Sequence, residues 1–579
     1  MSIHPITRWT APLLGCALLF SSCTTPPVAT IAPGPESIAD TIYLDGSIIT
    51  MNEANPTAEA LAVKDGRILA VGNRATVLET RARKTRVVNL NGKTLLPGFI
   101  DGHSHFINSL TVANQANVYA PPFGPGNSAD GIVAALKKLQ SEQHIRPGEW
   151  IMAYGYDENA VPANHPLTAA DLDPAFPENP VMVSHVSLHG AVLNSVALKK
   201  FNITAATPTP EGGIILRKPG TQEPSGLLME TAFLPVFASL PKPSAEETLA
   251  ALEKGQRIYA AAGITTAQDG ASHLADVEIL KRGAAAGKLF IDVVSYPFIT
   301  DLDAVLGKYS ASGFGKYDHG LKLGGVKVTT DGSPQGRTAF FTTPYLKGGP
   351  GGEQDWKGEP TFPKPVLQGM IQRVYDAGLP LIVHANGDAA IDIVLEAHAA
   401  ALGDKKAGDH RTGIIHCQFV RPDQLDKIAA WNLIPSFYTE HVYFFGSTHV
   451  ANRGMAQAEF ISPLKTALSK GIRCANHTDF NVVPIDQMFV LWTAVNRVTR
   501  EGSLLGANER VTPLEGLKAL TLHPAYWYRE ESRKGSLEAG KLADLVVLDR
   551  NPLTVDPMTI KDIRVMETIK EGRTVYTAQ

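Results

Sequence analysis

Short apolar runs that each end in a metal-binding type of side chain are the feature that most constrains the fold of this chain. The first run, Pro97-Gly98-Phe99-Ile100, leads into Asp101-Gly102-His103-Ser104-His105. Side chains alternate along a strand, so His103 and His105 point in the same direction. An isolated His-x-His pair is a weak signal, because most such histidines lie on a surface or in a core. The meaning of this pair therefore depends on the rest of the chain.

Two later apolar runs end in the same way, one at His384 and one at His416. Runs of this length and composition are typical of buried parallel strands. A fourth run, residues 471–478, has a more polar end that reaches the carboxylate of Asp479. The sequence thus predicts several strands whose ends carry histidines or a carboxylate.

A fifth run, residues 323–328, contains a lysine inside an otherwise apolar stretch. Burying an unpaired lysine costs free energy, so Lys327 requires a partner that stabilises it. The residue pattern leaves two interpretations open, namely a structural ion pair with Asp331 and a role in a metal site.

The composition allows a large folded protein and argues against nucleic-acid binding. The chain has 579 residues, is 44% hydrophobic and carries a formal net charge of -4, so it can bury a large core. Lysine and arginine (53) nearly balance aspartate and glutamate (57), and no basic run would follow a phosphate backbone. We therefore expect a small molecule as the partner. The sequence does not indicate an oligomeric state.

The first residues have the pattern of an export signal. Arg8 supplies a positive charge, residues 11–20 form a short apolar segment, and Ser21-Ser22 precedes Cys23. This pattern resembles a bacterial lipoprotein signal, although Phe20 stands where leucine is usual; an ordinary cleaved signal peptide is the alternative. We predict a signal peptide at residues 1–22, lipidation of Cys23 and a Pro-rich tether at residues 23–39. The protein would then lie in the cell envelope, in the periplasm or at the outer membrane, and contact the membrane only through its lipid.

Two cysteines remain in the body of the chain, Cys417 and Cys474. Two cysteines in so long a chain do not form a disulfide framework. Each lies near a predicted ligand residue, so a soft metal ligand is one interpretation. We predict that both are small core residues.

The two ends of the chain share a pattern of short strands and turns. Asp45-Gly46 and Asp65-Gly66 have the composition of hairpin turns, and Glu571-Gly572 near the C-terminus is a similar turn signal. We predict that residues 40–97 and 530–579 together form a small composite β-sandwich.

Between these ends, helical patterns alternate with apolar strands. Residues 245–262, 365–377 and 421–430 have helical patterns, and each is followed by a strand. Repeated units of this kind with ligands at the strand ends predict an α/β fold, a (β/α)8 TIM barrel spanning residues 98–529. Residues 110–244 exceed a minimal barrel unit, so we predict an inserted subdomain that covers the site.

The motifs in combination resemble the amidohydrolase superfamily. They are Pro-Gly-Phe-Ile-Asp-x-His-x-His, the stretch Val326–Ser333 followed by Arg337-Thr338-Ala339, the two strand-end histidines, and residues 535–544. More narrowly, they are similar to its family 3, the YtcJ-like branch that includes N-substituted formamide deformylases. The resemblance covers about residues 40–576.

The resemblance implies a site for one or two divalent metals, with Zn²⁺ expected. The implied ligands are two histidines of the first strand, a carboxylated bridging lysine, two histidines of later strands and a strand-eight aspartate: His103, His105, Lys327, His384, His416 and Asp479. Imidazoles and carboxylates suit Zn²⁺. Asp479 would also act as the catalytic base for metal-activated hydroxide and return the proton to a leaving amine.

The implied activity is hydrolysis of an amide-type, non-peptide carbon–nitrogen bond in N-formyl or N-acyl amines. An esterase or lactonase is an alternative, because the same hydroxide attacks either carbonyl. A non-catalytic surface-anchored binding protein is a further alternative, which the complete set of implied ligands argues against.

Several other residues are candidates for contacts around the substrate. His189, His441 and Tyr443 are the candidate substrate-binding residues, and the aromatic run Tyr443-Phe444-Phe445 predicts a pocket for an apolar or aromatic substituent. His477-Thr478 stands where the family commonly has Gly-Ser, so His477 is interpreted either as a hydrogen-bond donor behind the ligands or as a loop histidine.

Overall fold

The computed structural model describes residues 37–158, 160–162, 165–186, 190–210, 213–240 and 244–578. The predicted signal peptide, Cys23 and the tether up to residue 36 lie outside the described residues, as does His189. Within the described part of the chain, no helix has both the length and the apolar character needed to cross a membrane.

The described residues form strands and helices in alternation along much of the chain. In chain order the strands are β1 Thr41–Ile49, β2 Thr57–Lys64, β3 Arg67–Gly72, β4 Arg86–Asn89, β5 Thr94–Pro97, β6 Phe99–Ile100, β7 Ala116–Asn117, β8 Ile151–Tyr156, β9 Val181–His185, β10 Gly190–Leu193, β11 Gly213–Arg217, β12 Pro224–Glu230, β13 Ile264–Ser272, β14 Asp292–Pro297, β15 Tyr317–Asp318, β16 Leu321–Leu323, β17 Val326–Thr329, β18 Leu381–Ala385, β19 Gly413–His416, β20 Ile434–Phe437, β21 Ala475–Asn476, β22 Leu545–Leu548, β23 Val565–Lys570 and β24 Arg573–Thr577. The α-helices are α1 Arg74–Leu78, α2 Phe106–Val112, α3 Ala129–Glu142, α4 Ala169–Leu172, α5 Ser195–Lys200, α6 Leu234–Ala238, α7 Ala245–Ala261, α8 Leu274–Ala285, α9 Leu302–Lys308, α10 Lys364–Asp376, α11 Asp388–Leu402, α12 Pro422–Ala430, α13 His441–Arg453, α14 Met455–Ala458, α15 Leu464–Ser469, α16 Gln487–Asn496, α17 Pro513–Lys518 and α18 Leu522–Trp527.

The three helices predicted between apolar strands are confirmed as α7, α10 and α12, with ends that differ from the prediction by at most one residue. Helix α7 begins at a capping box, in which Ser244 accepts from the amide of Glu247 and the Glu247 side chain accepts from the amide of Ser244. The apolar faces of these helices, with residues such as Leu252, Ile371 and Leu425, are buried against the strands.

Strands from both ends of the chain join in one hydrogen-bonded sheet. Its order is β24-β23-β22-β5-β1-β2-β3, and β4 pairs with β1. Strand β5 is the link, because it pairs parallel to β1 and antiparallel to β22. The shared sheet between the ends is thus present; its arrangement as a sandwich and the domain limits stay predictions.

Of the two Asp-Gly dipeptides that were predicted to be hairpin turns, only one forms a turn. Asp65-Gly66, with positive φ at both residues, is the turn between β2 and β3. Asp45-Gly46 was predicted to be a hairpin, and that prediction is wrong: β1 continues through it with a register shift. The physical reason is a change of neighbour, since β1 pairs with β4 up to Leu44 and with β5 from Ser47 onward.

The central part of the chain is an α/β TIM-barrel-type arrangement of parallel strands with helices between them. Strands β6, β13, β14 and β16 are parallel neighbours in one sheet, and β17 to β21 are parallel neighbours in another. A bridge between Phe298 and Lys327 connects the two sheets on one side. On the other side the amide of His105 donates to the carbonyl of Phe480 (2.8 Å).

The region predicted as an insertion contains a six-stranded sheet of its own, in the order β11-β12-β10-β9-β8-β7. Helix α3 packs on it through Ile132 and Leu136. The hydroxyl of Tyr119 donates to the carbonyl of Asn481 (2.7 Å), and the ring of Phe123 lies 4.8 Å from that of Phe489. The inserted sheet is therefore attached to the loop and helix that follow the last barrel strand.

A buried network of charges connects the barrel to the sheet built from the chain ends. The ammonium of Lys534 lies 2.5 Å from Asp292 and 2.7 Å from Glu530. Lys570 of β23 lies 3.1 Å from both Asp292 and Asp544. The neighbouring cations hold the pKa of Glu530 down to about 2 even though its burial opposes ionisation. Each charge in this network depends on its neighbours, because none is solvated.

We predict that Lys534→Met lowers the free energy of unfolding by about 3–5 kcal/mol, because Asp292 and Glu530 each lose one of their buried cationic partners. Urea unfolding followed by circular dichroism measures the change. Lys364→Met is the matched control, since Lys364 pairs with Glu396 on the surface and should cost at most about 1 kcal/mol. Equal stability of the two variants would contradict the structural role of the network.

Candidate metal centre

The predicted ligand residues lie at the carboxyl ends of neighbouring parallel strands. His103 and His105 follow β6, Lys327 lies in β17, and Asp479 follows β21. His384 and His416 lie at or next to the ends of β18 and β19. Because these strand ends meet at one edge of the barrel, residues far apart in sequence come together there.

Three side chains form a compact group of metal-binding atoms. One ligand atom each of His103, His105 and Asp479 lies within 4.8 Å of the others. Oδ1 of Asp479 lies 3.5 Å from Nε2 of His103 and 3.4 Å from Nε2 of His105. The other carboxylate oxygen, Oδ2, lies 3.9 Å from Nε2 of His416. These separations exceed those of ordinary hydrogen bonds.

The donor set fits a divalent metal. Oδ1 of Asp479 is buried and forms no hydrogen bond within the described residues, although it faces two imidazoles. A buried carboxylate oxygen without a hydrogen bond is costly unless a cation satisfies it. Imidazole nitrogens together with a carboxylate are ligands that Zn²⁺ accepts.

Burial sets the protonation states of these ligands. It lowers the pKa of His103 and that of His416 well below the usual value, and the charge of Lys327 contributes further at His103. Burial also opposes ionisation of Asp479, but His416, His105 and His103 outweigh it and hold the Asp479 pKa well below its usual range. Burial thus favours the neutral form of His103 and His416, the nearby histidines favour the ionised form of Asp479, and these are the forms in which such side chains bind a metal.

Lys327 is buried beside the histidine pair. Its Nζ lies 3.3 Å from Nε2 of His103, and burial lowers the pKa of the lysine to about 8. No ion pair between Lys327 and Asp331 occurs among the residues that the structure describes. Instead, Asp331 accepts from the backbone amides of Phe340 (3.0 Å) and Gly387 (2.8 Å). The structural ion-pair interpretation of Lys327 therefore has no support in this geometry.

His384 lies at the edge of the group. Its ring centroid is 4.7 Å from that of His416, and its Nδ1 lies 3.3 Å from Asp331. The Asn386 amide nitrogen lies 3.2 Å from Nε2 of His384. The structure thus places His384 against His416 but not within the compact group of three ligands.

His477 lies behind the ligands. It is fully buried, and its ring centroid lies 5.3 Å from that of His103 and 5.1 Å from that of His416. It stacks on Tyr438 (5.2 Å), and burial lowers the pKa of His477 to about 3. Of its two interpretations, this position agrees with a residue behind the ligands and not with a surface loop histidine.

Two candidate substrate-binding residues, His441 and Tyr443, lie in the described part of the chain, and only one of them borders the metal-binding group. The ring of His441 lies 6.0 Å from that of His416 and 3.9 Å from that of Tyr438, so it borders the centre. Tyr443, two residues further along α13, packs edge-on against Phe489, with ring centroids 4.9 Å apart. Tyr443 therefore belongs to an aromatic cluster with α16, and its contact with substrate stays a prediction.

Sequence reasoning missed Gln268. This residue of β13 is fully buried, and its Oε1 lies 2.5 Å from Nδ1 of His103. The signal was present in the strand Ile264–Ser272, which carries threonine, glutamine and aspartate at buried positions. Polar residues in a buried strand indicate a polar partner inside the barrel.

Cys417 and Cys474 are free, fully buried cysteines, which confirms them as core residues. Burial raises the pKa of each thiol. Neither thiol is therefore available as a thiolate ligand.

Relatives with known names match nearly the whole chain. The Bacillus subtilis (strain 168) protein YtcJ, named as an amidohydrolase, is 28% identical over 557 residues, which is 92% of this chain and 99% of YtcJ. The N-substituted formamide deformylase of Arthrobacter pascens is 27% identical over 551 residues, 92% of this chain and 97% of that protein.

Two solved structures, both described as metal-dependent hydrolases, share the fold. The protein from Pyrococcus furiosus has a TM-score of 0.67 at 24% identity and covers 89% of this chain and 100% of its own. The one from Pyrococcus horikoshii OT3 has a TM-score of 0.69 at 21% identity, with 89% and 99% covered. The profile of the amidohydrolase family matches residues 86–576, and the chain belongs to that family.

Proposed function

We propose that this protein is a metal-dependent hydrolase that cleaves the amide-type carbon–nitrogen bond of N-formyl or N-acyl amines. The observation that carries the proposal is the convergence of His103, His105 and Asp479 at the carboxyl end of the barrel. The deformylase name of one relative, which matches over 92% of this chain, supports the amide class.

His103, His105, His384, His416 and Asp479 would hold one or two metals. When bound, a divalent metal such as Zn²⁺ lowers the pKa of water toward neutrality and polarises a carbonyl group. Asp479 accepts the water proton on a carboxylate oxygen as the water oxygen attacks the carbonyl carbon. Asp479 then returns the proton to the amine nitrogen as the carbon–nitrogen bond breaks, so an acid and an amine leave.

Asp479 has the deprotonated form that a proton acceptor needs. Burial opposes that form, but His416, His105 and His103 hold the pKa of Asp479 well below its usual range. The side chain of His105 remains 29% exposed and that of His384 16% exposed, whereas His103 is buried. We infer that the substrate approaches from the side of His105 and His384.

Lys327 would serve as a bridging ligand after carboxylation. Its neutral amine attacks CO₂, a nitrogen–carbon bond forms and one proton leaves, which gives a carbamate anion. The buried position and the pKa of about 8 favour the neutral amine that this step needs. A carbamate beside His103 would replace a costly buried cation with an anionic ligand for a second metal.

The aromatic residues at the insertion would shape the pocket. The ring centroid of Phe123, in the inserted region, lies 6.0 Å from that of Phe444 and 4.8 Å from that of Phe489. An aromatic wall of this kind favours substrates with an apolar or aromatic substituent.

We predict that Asp479→Asn lowers kcat/KM on N-formyl and N-acyl amines by about 10²–10⁴-fold, because an amide cannot shuttle the proton. Hydrolysis of matched amides, esters and lactones by zinc-loaded protein measures this loss and ranks the substrate classes. Asp486→Asn is the control, since Asp486 is a buried carboxylate that caps α16, and asparagine caps equally well.

Full activity of Asp479→Asn would contradict the assigned proton transfer. Faster hydrolysis of esters or lactones than of every amide would favour the esterase alternative. Zinc binding without hydrolysis of any substrate in the panel would favour a binding protein.

We predict that Lys327→Ala loses most of the bound metal and nearly all activity, because the bridging ligand is gone. Short carboxylic acids should restore part of both by filling the vacated volume. Metal analysis and native mass spectrometry, in which a carbamate adds one CO₂ that acid removes, check the result. Lys364→Ala on the surface is the control. Unmodified Lys327 in active protein with two metals would contradict the bridging role.

We propose further that the protein is lipid-anchored at Cys23 in the bacterial cell envelope. The lipoprotein-like pattern of residues 1–23 supports this location. We predict that Cys23→Ala abolishes partition into the detergent phase, because the acyl chains provide the membrane affinity. Cys16→Ala is the matched control, because Leu13-Leu14-Gly15-Cys16 also resembles a lipidation signal but leaves almost no apolar segment before its cysteine. This change should leave the partition unchanged. A parent protein that stays in the aqueous phase would contradict the anchor.

A further inference from the structure

Gln268 lies directly behind His103, on the side of the ring opposite the ligand group. Its Oε1 is 2.5 Å from Nδ1 of His103. The other ring nitrogen, Nε2, lies 3.5 Å from Asp479 and 3.3 Å from Lys327. The imidazole therefore connects the proposed metal site to a buried side chain that the proposed reaction does not use.

The direction of each hydrogen bond behind His103 follows from one backbone carbonyl. The hydroxyl of Tyr528 lies 2.6 Å from the carbonyl oxygen of Asp101, which can only accept, so the hydroxyl donates there. The same hydroxyl lies 2.6 Å from Nε2 of Gln268. Having donated its single hydrogen, it must accept from the amide of Gln268.

The orientation of the Gln268 amide is thereby fixed. Its nitrogen faces Tyr528 and lies 3.3 Å from the carbonyl oxygen of Gly102, a second acceptor. Its oxygen must then face His103. An amide oxygen only accepts, so Nδ1 of His103 must carry the hydrogen, and Nε2 presents its lone pair to the ligand group.

We propose that Gln268 and Tyr528 are positioning residues that impose on His103 the tautomer and ring orientation a metal ligand needs, before any metal binds. The inference rests on the proposed function, since it assigns His103 to a metal. It adds that the site is prepared by a hydrogen-bond chain that runs from the Asp101 carbonyl through Tyr528 and Gln268 to the ring.

The backbone of β13 supports the same ring position. A Cβ atom at Gly270 would lie 2.1 Å from Cε1 of His103, so only glycine leaves room for the ring. The amide of Gly270 donates to the carbonyl of Ser104 (2.8 Å), which holds the two segments together. The imidazole is thus confined by a hydrogen bond at one atom and by backbone contact at another.

A second buried glutamine serves as the control that distinguishes an effect on the position of His103 from a general effect on the stability of the fold. Gln256 of α7 is also fully buried, and it donates to the carbonyl of Lys288 (2.9 Å) and accepts from the amide of Phe290 (2.6 Å). Both glutamines satisfy buried polar groups. Only Gln268 contacts a proposed ligand, so only its replacement should change metal affinity.

The test measures zinc affinity of the metal-free full-length protein by competition with a chromophoric chelator, with no activity assay. We expect Gln268→Met to bind Zn²⁺ about 10–100-fold more weakly than the parent, because His103 loses its acceptor. Gln268→Glu keeps an acceptor for Nδ1–H and should stay closer to the parent than to Gln268→Met. Gln256→Met should lose stability in urea but keep the parent's zinc affinity.

Tyr528→Phe tests the chain itself. Without the hydroxyl, only the longer contact of the Gln268 nitrogen with the Gly102 carbonyl (3.3 Å) orients the amide. The nitrogen can then turn toward His103 more easily, so zinc affinity should fall although Gln268 is still present. This variant also decides the question if Gln268→Met does not fold.

Parent-like zinc affinity in folded Gln268→Met, or in Tyr528→Phe, would overturn the positioning role. An equal loss of affinity in Gln256→Met would also overturn it, because general destabilisation would then explain the effect. A parent protein that binds no zinc would instead contradict the proposed metal site, which is a separate outcome.

Discussion

The carboxyl ends of the parallel strands meet at one edge of the barrel, and the site depends on this constraint. Residues as distant in sequence as His103 and Asp479 lie 3.5 Å apart because the segments that follow β6 and β21 are hydrogen-bonded to each other. The backbone reinforces the closure, since the Asp479 amide donates to the His103 carbonyl (3.2 Å). His416 and Asp479 both have positive φ, a conformation that costs non-glycine residues about 1–2 kcal/mol. Strain of this kind persists only where the surrounding structure enforces it.

The barrel contains polar groups at both ends, and each end balances them differently. At the end that faces the sheet built from both chain ends, cations and carboxylates such as Lys534 and Asp292 neutralise one another. At the site, Asp479 faces three imidazoles, and its Oδ1 forms no hydrogen bond within the described residues, so the protein itself provides only part of the compensation. This asymmetry explains why one end stabilises the fold and the other can accept a cation.

The sequence predicted the structure correctly where a single side chain, or the spacing of apolar residues within one segment, carried the information. The apolar runs predicted the strands that end at or near His384 and His416, and the helical patterns predicted α7, α10 and α12 within a residue. It was insufficient where the outcome depended on a neighbour distant in sequence. The bulge at Asp45-Gly46 exists because β1 exchanges one partner strand for another, and no local pattern shows that. Gln268 was missed because its role requires His103, which is 165 positions away.

The sheet made from both chain ends has a consequence for the order of folding. Strand β5 precedes the barrel, yet one of its two neighbours, β22, is separated from it in sequence by the entire barrel. During synthesis, the edge of β5 therefore stays without its partner until the last strands have been made. Contacts of such long range form slowly, and an unpaired edge is a site for association with other chains. A nascent chain of this protein would need its final residues before the first sheet is complete, so truncation near the C-terminus should harm the N-terminal strands first.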